Sequence, residues 1–554
     1  MRLPLLWSNH RRRLVATCCV SVLVSCGGNA SARDRILVIG APRESGELFP
    51  PLLSGTTHRA ISEQLFEKLA AVGPALGILD DRTFVPRLAD TWMWSRDSLS
   101  LSMHLNPRAR WHDGRPVLPV DVRFALSVYT DSAHPSPSAP DLRAWIDSIT
   151  TADSAQFTVW FRTRLPENFY NLVSTLVPLP SHVFAGVPRD SLLTSAQVRM
   201  PVGSGPYRLV SRDENQRVVI AAVDAFFLGH AGVDTVIWSY SAQPRDILPR
   251  LLTGEVDFLE SVPPADLPAV EATEGLRLER AAEFDYGFLQ LNLRSGASDA
   301  PHPVLGNREL RRALSRALDR RLMLNNVFGA FATVSRGPFV RRHWSADSTL
   351  QSLSYDTTAA ARTLDSLGWR RGASGMRAKS GRPLSFAVLV PAGHAIRKPL
   401  AELMQEQFRQ AGVDMQIEFL DFPSIIARLR AGTFDAFIQS ITAGLSPNGV
   451  RQVWTTSGWK GFNFGHYGNR RFDAEIDSAI AAPDGTRGRA HYRLAYQTIL
   501  DDAPAIWLYE RQQRAGVSTR VVTGALRPDA WWATLPQWKI VPQGKASPKS
   551  APRP

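Results

Sequence analysis

Few residues in this chain could do covalent chemistry. Its three cysteines, Cys18, Cys19 and Cys26, all stand in the first 26 of 554 positions. The rest can therefore build neither a disulfide framework nor a catalytic thiol. The twelve histidines are dispersed without ligand spacing, and His-Glu-x-x-His is absent, so no metal site is expected. There is no Gly-x-Ser-x-Gly elbow, no phosphate loop and no dinucleotide fingerprint. His112-Asp113 is adjacent in sequence and followed by Gly114, which reads as a turn rather than a base with its orienting acid. Asp501-Asp502 closes a helical segment. Two distant carboxylates would suffice for a glycosidase, but nothing points to such a pair. No catalytic residue and no cofactor are expected.

One cysteine does have a chemistry. Arg11-Arg12-Arg13 precede an 11-residue apolar or small-residue stretch, Leu14–Val24, too short to span a membrane as a stable helix. It ends in Leu23-Val24-Ser25-Cys26, which looks like a bacterial lipobox. In that chemistry the Cys26 thiol takes a diacylglycerol and becomes the new N-terminus once 1–25 is removed, with Cys18 and Cys19 leaving. Residues 26–34 read as a polar tether. The body is then extracytoplasmic, in the periplasm or cell envelope, and held to the membrane by lipid.

Charge excludes one class. Lys+Arg exceeds Asp+Glu by 13, nearly all of it arginine. The arginines are scattered among acids, with no aromatic-interleaved basic run, so nucleic acid is not an expected partner. At roughly 150 residues per domain the length suggests about three or four units.

Periodicity then supplies the elements. Ile36–Ile39 reads as a buried strand ending at Gly40, and Ile61–Ala71 as a helix. Leu99, Leu101, Met103 and Leu105 alternate onto one strand face, with His104 on the polar one. Pro119 opens a helix through Thr130 with Asp121 in its first turn. Ser132–Asp141 reads as a loop, and Gln156–Phe161, Arg217–Val223 and Val233–Tyr240 as strands. Two segments echo each other: a short helix closes on Gly254 or Gly432, and three residues later Asp257 or Asp435 leads a strand. Two lobes of similar α/β topology would leave such an echo. Glu309–Leu324 reads as one surface helix, its leucines on a stripe and Arg311, Arg312, Arg316, Arg320 and Arg321 on a solvated face. Further helices are expected over 356–367 and around Leu400–Phe408. A strand follows, with Val413, Met415, Ile417 and Phe419 inward. The tail 544–554 reads as disordered.

These landmarks resemble a known family. Phe84–Trp92, Arg110-Trp111-His112-Asp113-Gly114-Arg115-Pro116, Asp121–Leu126, Pro201–Tyr207, Arg308–Arg320 and Asn463–Asn469 with Phe472-Asp473 come in the order of the extracytoplasmic solute-binding proteins of family 5. That is the peptide- and nickel-binding group of ABC importers. The resemblance implies an α/β, two-lobed, periplasmic binding protein-like fold (class II, cluster C) with an extra subdomain on lobe I. Lobe I would be 35–58, 198–284 and 503–543, the subdomain 59–197, and lobe II 285–502. It implies a monomer that closes on a peptide or small solute and delivers it to permease subunits. A sensory or chaperone-like binder, or an extracytoplasmic hydrolase, remains as an alternative. By position the ligand-binding candidates are Phe284, Asp285, Tyr286, Phe288, Ser440, Thr442, Trp454, Phe462 and Asn463. Peptide-binding members resemble one another in an acidic stretch that pairs with the ligand's α-amine. Here that stretch, Gln439–Gly449, contains no acid, and Leu118 departs from the usual Thr/Ser cap. The solute is then a longer, blocked or cyclic peptide, a non-peptide, or a free amine served by Asp285.

Overall fold

Alternation along Ile36–Pro42, with Leu37 and Ile39 fully buried, makes a strand where the described chain begins. The computed structural model describes residues 35–541, apart from 44–45, 54, 133–135, 282–283 and 297–299. The export segment, Cys26, the tether and the tail 544–554 lie outside the described residues. Among the described residues no helix is long and apolar enough to cross a membrane.

Strand 36–42 pairs parallel with Thr235–Ser241 on one side and Phe258–Leu259 on the other. It sits inside a seven-stranded mixed sheet whose order is 276–280, 514–518, 258–259, 36–42, 235–241, 217–222, 207–213. A second, six-stranded mixed sheet runs 332–334, 505–511, 285–291, 436–442, 385–391, 414–420. Strand 385–391 pairs parallel with both 414–420 and 436–442, which requires helical crossovers. Helices Arg397–Gln410 and Phe422–Ala431 supply them. Strand 505–511 pairs with 285–291 and 332–334, so it belongs to the second sheet. The chain returns to the first sheet only beyond Arg511, at strand 514–518.

The chain passes between the two sheets twice, from Arg280 to Asp285 and from Arg511 to Arg514. The two passages lie side by side, with the Ala281 N–H donating to the Gln513 carbonyl at 3.0 Å.

Between 59 and 197 a four-stranded antiparallel sheet of order 89–94, 100–105, 156–161, 146–151 buries Leu101, Met103, Phe157 and Val159. Leu99 does not join that face; it precedes the strand Ser100–Leu105 and is 37% exposed. Helix Pro119–Tyr129 has leucine at its N-cap, and Asp121 does the work instead. Its carboxylate accepts the Leu118 N–H, the Trp111 indole N–H, and the Ser181 N–H and O–H.

Several expected elements differ. The helix expected over 61–71 spans Thr56–Leu65, and Ala70–Val72 is a strand. Helix Ala139–Trp145 begins inside the expected loop, with Pro140 in its first turn. The expected helix 309–324 is two helices, Arg308–Arg316 and Arg320–Phe328, each opened by a side-chain cap, Asn307 and Asp319. Its basic face is only partly solvated. Arg311 is buried against the carbonyls of Leu305, Gly306, Asp502 and Ala503, and Arg320 against those of Leu353 and Trp507. Leu322 points outward, 52% exposed. Strand 414–420 is a sheet edge, and Phe419 near its end is exposed rather than inward.

The echo is structural. Helix Ile247–Leu252 and helix 422–431 are each followed by a glycine at positive φ, +72° at Gly254 and +67° at Gly432. That region costs an L-residue with a Cβ. Three residues on, Asp257 accepts the Val38 N–H at 2.9 Å, and Asp435 accepts the Ala387 N–H at 2.8 Å. Each aspartate thus ties its strand to the parallel neighbour.

Candidate functional site

In open α/β sheets, ligands sit outside the carboxyl ends of the parallel strands. In the second sheet that edge holds the ends of 385–391, 414–420 and 436–442, together with the start of 285–291 and the end of 505–511. Asp285 pairs across strands with Thr442 and Arg511, and Gly287 with Ser440, so these residues share one face. The Tyr509 ring lies over Gly287; a Cβ there would meet it at 2.2 Å, so only glycine admits the ring.

Asp285 is buried and fully engaged. It accepts from Thr442 Oγ1 at 2.6 Å, from Arg511 Nε at 2.8 Å and from Gln513 Nε2 at 3.2 Å. Its charge is met by Arg511; burial pulls that guanidinium down, but Asp285, with Tyr509 and Glu260, holds it above its ordinary value. The pair braces the two interlobe passages against each other.

Arg397 is different. It opens the 14-residue helix 397–410 just past strand 385–391. Its Nε is buried with no hydrogen-bond partner, and its guanidinium lies 5.6 Å from the Phe437 ring centroid. Burial pulls it below its ordinary value, while Tyr509 and Asp285 act in the other direction. His394 stands at the same helix start. Its Nδ1 accepts from the Ile396 and Arg397 N–H groups, and burial, then Arg397 and Arg511, push it down to about 4. The edge thus offers two arginines to one aspartate, beside a neutral imidazole and a helix N-terminus. Such an arrangement recognises an anionic group.

The remaining candidates separate into two places. Tyr286 and Phe288 face the opposite side of the sheet and stack with Trp454 and Trp507, with ring centroids 5.0–6.5 Å apart. Trp454 Nε1 donates to the Tyr286 hydroxyl at 3.4 Å. Phe462 and Asn463 lie past the other end of strand 285–291, in a loop whose Gly465 carbonyl accepts the Leu293 N–H. Asn463 is fully buried and spends its amide inside that loop, donating to Thr455 O and Tyr467 O and accepting the Tyr467 N–H. Phe462 is 55% exposed and meets Phe464 edge to face. Phe284 is buried and leads into Asp285; its carbonyl accepts the Ala443 N–H.

Sequence reasoning missed Arg397, His394, Arg511 and Glu167. Glu167 lies just before helix Asn168–Thr175, yet its carboxylate accepts from three groups more than 170 residues further along the chain. These are Trp344 Nε1 at 2.8 Å, Asn448 Nδ2 at 2.9 Å and the Ser446 hydroxyl. Ser446 and Asn448 belong to the stretch that itself contains no acid.

The family described as bacterial extracellular solute-binding proteins, family 5 (middle) matches residues 83–463. The chain is 23% identical over 532 residues to an oligopeptide-binding protein, AppA, of Bacillus subtilis, covering 90% of this chain and 94% of that one. It is 22% identical over 542 residues to the glutathione-binding protein GsiB of Pectobacterium atrosepticum, covering 94% and 96%. Among solved structures, AppA of Bacillus subtilis in complex with a nonapeptide superposes with TM-score 0.77 at 20% identity, covering 91% of this chain and 99% of that one. NikZ of Campylobacter jejuni in complex with Ni(L-His) gives TM-score 0.78 at 22% identity, with the same coverage. The fold is thus the two-lobed periplasmic binding architecture.

Proposed function

Because the chain belongs to the bacterial extracellular solute-binding proteins of family 5, we propose that it captures a peptide or peptide-like solute between its lobes and hands it to an ABC permease. No bond is made or broken. Lobe I is 35–58, 198–284 and 512–543, the extra subdomain 59–197, and lobe II 285–511. The solute lies along the carboxyl edge of the second sheet, where Ser440 and Thr442 line its path. Its carboxylate is directed at Arg397 and the helix start beside it. The observation carrying this is the half-buried Arg397, whose Nε is buried without a hydrogen-bond partner and which has no carboxylate within ion-pair distance among the described residues. Nonapeptide, glutathione and histidine, the ligands in the names of the similar proteins, all carry such a group. Apolar pockets and backbone hydrogen bonds supply the rest of the affinity. Asp285 braces the hinge rather than meeting an amine.

Native mass spectrometry of whatever co-purifies identifies the solute, and calorimetry with a peptide panel measures it. Arg397→Ala weakens a carboxylate-bearing solute by about 1.5–3 kcal/mol, the worth of a charge-assisted hydrogen bond, and leaves an amidated one unchanged. Equal losses for both would refute the assignment. The chain acts as a monomer anchored by lipid on Cys26. Cys26→Ser then abolishes palmitate labelling and releases the protein from the membrane fraction.

A further inference from the structure

The 59–197 subdomain and the second lobe are covalently remote but meet at one buried carboxylate. Glu167 is 3% exposed, and its three donors, Trp344 Nε1, Ser446 Oγ and Asn448 Nδ2, all belong to the other side. Behind them Asn448 is held by the Tyr492 hydroxyl, which donates to its Oδ1, and His343 Nε2 meets the Gly444 carbonyl at 2.8 Å. Every partner of Glu167 is neutral, and no cation lies within ion-pair distance of it among the described residues. An ionised carboxylate with three neutral donors and no counter-charge is poorly compensated for lost water.

We propose that Glu167 is a proton-linked clasp: it joins the extra subdomain to the second lobe when the lobes close, and closure takes up one proton at this carboxyl. The inference deepens the solute-receptor reading and rests on its premise that the lobes open and close.

The surroundings fit. Burial pushes Glu167 up to about 7, against the pull of the Ser446 and Trp344 hydrogen bonds. On its own helix, Asn168–Thr175, the nearby titratable group is Tyr170. On helix Gly485–Asp502 they are Tyr492 and Tyr496. All three phenols are pushed up by burial and stay neutral. Segment 343–344 contributes His343, which burial pushes down to about 4, and loop 443–448 contributes no ionisable group. Arg59, Glu63 and Asp529 act on Tyr170 and are not among the influences on Glu167.

The sign follows from linkage. In the open state the carboxyl is solvated and titrates near its ordinary value; in the closed state it titrates near 7. The closed state binds more protons between these values, so closure strengthens as pH falls. The closing constant rises roughly tenfold per pH unit through that window and is flat above it.

The test is small-angle scattering of the full chain without added solute, from pH 8.5 to 5, on wild type, Glu167→Gln and Trp344→Phe. Circular dichroism at each pH confirms folding. Wild type is expected to compact as pH drops below about 7. Glu167→Gln keeps its size constant. Trp344→Phe, which removes a donor to the ionised form, moves compaction to higher pH. Wild-type scattering that does not change with pH, or the same response in Glu167→Gln, would overturn the clasp. If the solute screen finds no ligand while this pattern holds, the receptor reading fails and the clasp stands. If solutes bind and the pattern is missing, the clasp fails alone.

Discussion

The two Gly-x-x-Asp corners share a backbone and differ in what meets the acid. At Asp257 the partner is Arg520, with Nε on Oδ1 at 2.7 Å and both side chains at least 93% buried. At Asp435 it is His302, whose Nε2 lies 3.1 Å from Oδ1. His302 Nδ1 accepts the N–H groups of Val304 and Leu305, which leaves Nε2 to face the Asp435 carboxylate. One lobe thus seals its corner with a buried arginine, the other with a histidine at a 36%-exposed carboxylate. Topology fixes where the aspartate stands, because it must accept the N–H of the parallel strand. It does not fix the partner, which comes from a distant segment in each case.

Removing the acids separates the corners most. Asp257→Ala strands a buried guanidinium and is expected to cost about 3–5 kcal/mol, while Asp435→Ala costs about 1–3 kcal/mol for lost hydrogen bonds. Urea midpoints of the two lobes measure both, and equal losses would break the comparison. The glycines come next. A Cβ on Gly254 meets nothing within 4 Å, but one on Gly432 comes 3.0 Å from the Gly296 carbonyl oxygen. Gly254→Ala should cost about 1 kcal/mol for positive φ alone, and Gly432→Ala roughly twice that. The smallest effect is in acid. Burial pushes Asp435 up, but the hydrogen bonds from His302 and the Ala387 N–H, together with the electrostatic pull of His302 and Arg428, hold the carboxyl below its usual range. A depressed carboxyl stabilises above its unfolded value, and that stability is lost as pH falls through the folded one. Asp435→Asn should therefore flatten the acid limb of the second lobe's stability curve, by a few tenths of a kcal/mol after solvent screening.

The corners were legible in the sequence because glycine and aspartate there serve local backbone needs. Strand alternation at Leu101–Leu105 and the start of the helix at Pro119 were legible for the same reason. What escaped depends on distant partners. The leucine stripe over 310–322 ran through the Asp319 cap because periodicity sees faces, not breaks. Arg311 and Arg320 were assigned to water, since nothing near them in sequence announces the carbonyls they cap. Phe419 alternates correctly, but its strand is an edge. The candidate site was legible only as a neighbourhood: Asp285, Ser440 and Thr442 stand at the carboxyl edge of the second sheet, Phe462 and Asn463 past the opposite end of strand 285–291. Glu167 carries no local pattern, and only folding brings it to Ser446 and Asn448.

The contact between the two passages at Ala281 and Gln513 has a mechanical consequence. With the Ala281 N–H bonded to Gln513 O, sliding one lobe past the other would shear that bond, and twisting would pry the strands apart. Rotation about the line they define strains neither. On the proposed reading the lobes would therefore turn like the covers of a book on a narrow spine, with atoms near Asp285 travelling least. A guest captured as proposed would have its end group read at the spine, where little moves, and its bulk at the margin, where the covers meet.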